Sequence, residues 1–106
     1  MITIKQLNEE LEKFLEMYGD YGNAYNRDIN RLLKMDKDLK EIYEFIKGKY
    51  PKLSKRNILD ELRLSALDYE SNKYFAKNKV NEMPDDAYKA MLQKVDSQIA
   101  DIDRGK

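Results

Sequence analysis

Apolar residues recur at alternating steps of three and four in four stretches of the chain, the spacing that lines one side of an α-helix. In the first, Ile4, Leu7, Leu11, Phe14 and Tyr18 follow Thr3 and Gln6, which stand three apart as the two members of a capping box. The pattern predicts a helix over about 4–18, stopping at Gly19-Asp20-Tyr21-Gly22-Asn23, where Gly and Asn permit the positive φ angles of helix ends. The second stripe is Tyr25, Ile29, Leu32, Asp36, Leu39, Tyr43 and Ile46, predicting a helix over about 24–47 that ends at Gly48 ahead of Pro51. The third starts from Ser54, a good N-cap with Leu53 and Ile58 placed as a hydrophobic staple. It continues through Leu59, Leu62, Ala66, Tyr69, Lys73, Ala76, Val80 and Met83, over about 55–81. The alanines at 66 and 76 leave room for a close neighbour, and Lys73 can snorkel. In the fourth, over about 84–103, Pro84 suits the first helical position and Asp85 and Asp86 complement the dipole. Tyr88, Leu92, Val95, Ile99 and Ile102 form its stripe.

Asp36 is the odd member of the second stripe. In a continuous helix its carboxylate points at the seam, where an unpaired charge would cost several kcal/mol. If the chain instead bends near Met35 to Asp38, Asp36 or Asp38 caps a new helix, with Asp38 and Glu41 forming the acidic version of the box. The continuous helix with a partly exposed Asp36 is the preferred reading.

These elements predict one all-α domain over residues 1–106, an antiparallel four-helix bundle with two long central helices. At 1.5 Å per residue the second and third helices would reach about 36 and 40 Å, against about 22 Å for the first. Either the long helices bend, or an apolar stripe projects and is covered by a second copy or a partner, which makes a dimer an expectation.

Composition narrows the chemistry. The 106 residues are 42% hydrophobic and 38% charged, with 20 basic and 20 acidic side chains and no His, Cys or Trp. Without His and Cys the commonest general base, imidazole and thiolate metal ligands and the thiolate nucleophile are missing, which points away from catalysis. Neighbouring carboxylates such as Glu9-Glu10 and Asp85-Asp86 diverge by about 100° around a helix and are read as solvated or helix-start charges. The Glu-x-x-His pairs of a di-iron bundle cannot exist. A calcium-loop reading of Asp36-Lys37-Asp38 fails at its sixth and twelfth positions, Glu41 and Lys47, and no phosphate-binding glycine loop follows Gly19 or Gly22. No metal, cofactor or catalytic residue is expected. The longest apolar runs are three residues, such as Ala90-Met91-Leu92, too short for a membrane span or a signal peptide, and the cytoplasm is the expected compartment.

Charge is unevenly spread. Residues 1–20 carry 2 basic and 5 acidic groups, whereas residues 27–56 carry 10 basic and 5 acidic. The most polarised stretch, Lys47-Gly48-Lys49-Tyr50-Pro51-Lys52-Leu53-Ser54-Lys55-Arg56, has five basic residues and no acid, a composition able to grip phosphates or an acidic protein. Lys47 and Lys49 also complement the end of the second helix, so the plainer reading is a solvated connection. A zero net charge stands against a dedicated nucleic-acid binder, and the long connection against a helix-turn-helix. Tyr18, Tyr21 and Tyr25, set among Gly and Asn, have the chemistry of an adaptable binding loop, with Tyr21 the member that the core stripes leave free. The expected function is that of a small non-enzymatic protein-binding module acting through Tyr21, Lys49, Tyr50, Lys52, Lys55 and Arg56, with a nucleic-acid or nucleoprotein binder using the same basic loop as the alternative. In size, charge density and helical layout the chain resembles the small bundles that serve as bacteriocin immunity proteins and the short phage-encoded inhibitors of host or defence proteins. That resemblance is one of general character and carries no residue assignments.

Overall fold

A computed structural model describes residues 2, 3, 5, 6, 9 and 24–105. Most of the helix expected over 4–18, with its stop at Gly19–Asn23, lies outside the described residues. Its start lies within them. The Thr3 amide donates to Gln6 Oε1 at 3.2 Å and the Gln6 amide to Thr3 Oγ1 at 3.1 Å, the reciprocal bonds of the capping box. The described chain is mostly helical, with α1 (Ala24–Lys34), α2 (Leu39–Lys49), α3 (Lys55–Asn78) and α4 (Asp85–Asp103). Short strands β1 (Ile2–Thr3) and β2 (Glu82–Met83) add an antiparallel ribbon, with Ile2 opposite Met83.

The helix expected over 24–47 is two helices. Asp36 adopts φ 58°, in the left-handed region, and its amide bonds to the Leu33 carbonyl at 3.0 Å while Lys37 reaches back to Leu32 at 3.2 Å. This is the usual closure of a helix C-terminus, here built on Asp, one of the few non-glycine residues that tolerate that region. Two residues later the Asp38 carboxylate accepts from the Glu41 amide at 2.8 Å and caps α2. The bend therefore replaces the continuous helix, and the seam is spared a carboxylate. Each half is about 16 Å long, so the 36 Å helix expected over 24–47 does not arise.

Across the turn Lys49, the last residue of α2, bonds Asp28 in the second turn of α1, so the end of α2 lies beside the first half of α1. The same holds for the second pair. Lys55 at the start of α3 meets Asp103 at the end of α4, and Glu70 further along meets Lys94.

α3 is the central element, packing against α1, α2 and α4, and about 36 Å of helix nearly spans the 39 Å long axis of the molecule. Its capped start is as expected, Ser54 accepting from the Asn57 amide at 3.1 Å. Its burial is not confined to the expected stripe. Ile58, Leu59 and Leu62 are joined by Glu61, Leu64, Ser65 and Leu67, so the stretch from Ile58 to Leu67 is enclosed on nearly all sides, and Ser71 and Phe75 continue the burial on one side. Ala66 is buried as expected, whereas Ala76 is exposed. The helix ends at Asn78, short of the expected 81. Lys79 takes φ 54°, and the Val80 amide closes onto the Phe75 carbonyl at 3.2 Å. Val80 is left 44% exposed, and Met83, expected on the helix, is buried in β2. Pro84 is the N-cap residue of α4, one place ahead of its expected position, with Asp85 and Asp86 in the first turn.

Candidate functional site

The basic stretch 47–56 divides into three parts that face different neighbours. Its first part stabilises the connection itself, because the Lys47 ammonium donates to the Leu53 carbonyl at 2.8 Å. Lys49 and Tyr50 turn to α1. Asp28 Oδ2 accepts from Lys49 Nζ at 2.9 Å and from the Tyr50 hydroxyl at 2.8 Å, and Arg31 approaches Oδ1 at 3.4 Å. The Tyr50 ring meets Tyr25 edge-on at 6.1 Å, while Lys49 Nζ lies 5.8 Å from the Phe45 ring centre and 5.5 Å from that of Tyr50. Phe45 remains 42% exposed. A cation bracketed by two aromatic rings and anchored on a carboxylate is a preorganised arrangement, since each group limits the rotamers of the next.

Lys55 faces the opposite way, pairing with Asp103 of α4 at 3.5 Å, and Arg56 reaches only Asp60 on its own helix at 3.5 Å. Lys52 is exposed in the turn and has no partner among the described residues. Of the six residues expected to bind, the structure thus brings together Lys49 and Tyr50, leaves Lys52 and Arg56 at the surface, and directs Lys55 to α4. Tyr21 lies outside the described residues. Tyr25, read as both a stripe and a loop residue, is half-buried in α1, packed against the core and edge-on to Tyr50.

Sequence reasoning missed Asp28, Arg31 and Phe45. A signal for Phe45 existed: it is the large apolar residue of α2 that stands off the buried line of Leu39, Ile42 and Ile46, four positions before Lys49. Nothing in the sequence pairs Asp28 with residues 21 and 22 positions away.

Electrostatics freeze this corner in one charge state at neutral pH. Hydrogen bonds from Lys49 and then Tyr50 hold the Asp28 carboxyl below its usual 3.8. Its bond to Asp28 raises Lys49 above its usual 10.5, and the same carboxylate raises Tyr50 above 10.0. All three shifts move titration away from pH 7.

Two further polar features are visible. Glu61 of α3 is 2% exposed, accepting from Asn26 Nδ2 at 2.8 Å and from the Tyr25 hydroxyl at 3.3 Å, which ties α1 to α3 directly beneath the aromatic corner. On another side, grooves of about 340 and 540 Å³ share Leu33, Tyr69 and Lys73. Among the described residues no three carboxylates gather as a metal site requires, and no helix is long and apolar enough to cross a membrane. No protein-family model matches the chain, and neither a curated protein nor a solved structure does so.

Proposed function

We propose that the protein acts by binding another protein, without chemistry of its own, through the corner formed by Phe45 and Lys49 on α2, Tyr50 just after it, and Tyr25, Asp28 and Arg31 on α1. The observation that carries this reading is the exposed Phe45 ring beside the Lys49 ammonium, which is itself fixed by Asp28. Interfaces draw most of their affinity from a few aromatic and cationic anchors whose geometry is set before the partner arrives. The pKa directions support binding over proton transfer, because a general acid or base works best when its titration lies near the operating pH. Lys52 and Arg56 contribute long-range attraction at the edge of the surface. An inhibitor, immunity or phage accessory role in the cytoplasm fits this reading. So does the antiparallel four-helix arrangement expected from short connections, which the fold-back of α2 on α1 and of α4 on α3 supports.

The test is site-specific photo-crosslinking in the native host. A benzophenone amino acid at position 45 is expected to capture one dominant polypeptide after nuclease treatment, while the same group at the exposed Ala76 captures none. Capture of nucleic acid at position 45, or no difference between the two positions, would reject the proposal.

A further inference from the structure

We infer that the partner segment docking on this corner is an acidic peptide strand or helix carrying an apolar side chain for Phe45. The inference rests on the protein-binding reading above and adds the chemistry of what binds.

Tertiary structure fuses two basic stretches that the sequence keeps apart. α1 carries Arg27, Arg31 and Lys34 at steps of four and three, hence on one side of the helix, with Asp28 as its one acid. The stretch 47–56 carries five cations and no acid, and the Asp28 bonds bring Lys49 and Tyr50 against α1 while Lys55 turns to Asp103 of α4. That single carboxylate is shared by Lys49, Arg31 and the Tyr50 hydroxyl. Arg27, Lys34 and Lys52 are exposed and have no ionic partner among the described residues. The corner therefore carries more cations, Arg27, Arg31, Lys34, Lys49 and Lys52, than acids, Asp28 with Glu41 and Glu44 of α2, around an exposed aromatic ring, although the whole chain has zero net charge. Met35 adds exposed apolar area at the far end of the Asp28-Arg31-Met35 line, at steps of three and four and 57% exposed.

The surroundings of Phe45 separate a peptide from a phosphate chain. One turn towards the C-terminus of α2 stands Lys49, but one turn towards the N-terminus stands the carboxylate of Glu41. A nucleic-acid strand stacking a base on Phe45 has a phosphate on both sides, and one of them would meet Glu41. A peptide can place its carboxylates opposite Arg31, Lys49 and Lys52, its apolar residue on Phe45, and a neutral or basic residue opposite Glu41.

Fluorescence anisotropy on the full chain tests this with three labelled probes. These are a short Glu/Asp-rich peptide with a central Leu-Phe pair and a terminal Lys, the same peptide with Lys replacing its acids, and oligothymidylate. The acidic peptide is expected to bind at least tenfold more tightly than either other probe, with affinity falling as salt rises. Phe45→Ala and Lys52→Glu, both at exposed positions, should each weaken it about tenfold. Oligothymidylate binding as tightly as the acidic peptide overturns the inference, as does failure of the acidic peptide to bind or its indifference to both substitutions. A concentration-dependent dimer that buries Phe45 also overturns it, the occupant then being a second copy. If position 45 crosslinks to a protein while the acidic peptide neither binds nor competes, the protein-binding reading stands and the acidic character of the partner fails.

Discussion

Tyr69 donates its hydroxyl to Asp36 Oδ1 at 2.8 Å, joining the middle of α3 to the one residue at the α1–α2 turn with a left-handed backbone. The bond ties the turn to α3 at the surface, because the side chain that tolerates the positive φ also fixes α3 against the bend. It raises Tyr69 above the usual phenol value of 10.0, the Asp36 hydrogen bond being the largest cause. Asp36→Ala removes both properties and should cost about 2 kcal/mol, from roughly 1 for the left-handed alanine and roughly 1 for the lost bond. Asp36→Gly should be close to neutral, since relief of backbone strain offsets the lost acceptor. Urea denaturation separates the two, and phenolate absorbance should show Tyr69 titrating lower in both variants.

The Asp28 corner makes stability depend on pH in two directions. A carboxyl held below its usual value contributes stability that is complete above about pH 4 and is lost as pH falls through the depressed folded value. Tyr50 and Lys49, both raised, contribute stability that is complete below about pH 10 and is lost as pH rises through their folded values. Asp28→Asn should flatten both limbs of a plot of denaturation midpoint against pH, whereas Tyr50→Phe should flatten the alkaline limb and only part of the acid one, since Lys49 still bonds the Asp28 carboxylate. An unchanged acid limb in Asp28→Asn would show that other carboxyls set it.

Helix α2 offers paired substitutions of opposite sign. Asp38→Ala removes the acceptor of the Glu41 amide and should destabilise by about 1 kcal/mol. Were residues 24–47 one helix, the same change would be neutral or stabilising, so its sign reports the bend. Gly48→Ala should stabilise by about 0.5–1 kcal/mol, because Gly48 lies within the helix and an added Cβ there meets nothing within 4 Å. Thermal melts of the two variants should move in opposite directions.

Core and docking residues should separate by the same measurement. Leu62 is 0% exposed in the first half of α3, and Leu62→Ala should cost about 2–5 kcal/mol through lost burial and the cavity left behind. Phe45→Ala, at 42% exposure, should change stability by less than about 0.5–1 kcal/mol while weakening binding. A large stability loss at Phe45 would place it in the fold and remove the anchor from the proposed interface.

The sequence alone determined the helical class and most helix starts, because caps and hydrophobic spacing act within a turn or two of chain: Thr3 with Gln6, Ser54 with Asn57, and Asp85 and Asp86 after Pro84 are all local. It left the α1–α2 bend undecided. Both helix ends that were overrun, at Lys34 and Asn78, close through a left-handed Asp36 and Lys79 and lack the glycine that marks such ends. Two strands of two residues carry too little periodicity to be read at all. Only the tertiary structure decided that α3 is enclosed on nearly all sides between Ile58 and Leu67, and that Leu64, Leu67, Ser71 and Phe75 form a second buried line once other helices cover it. It also decided the candidate site. Lys49 and Tyr50 were legible as cation and aromatic, but Asp28, which fixes them, is more than 20 positions away, and Lys55 was drawn to Asp103 by a contact 48 positions long. Charges act through space and caps through the backbone, so the chain specified its elements locally while their packing chose which cations were paired and which remained exposed.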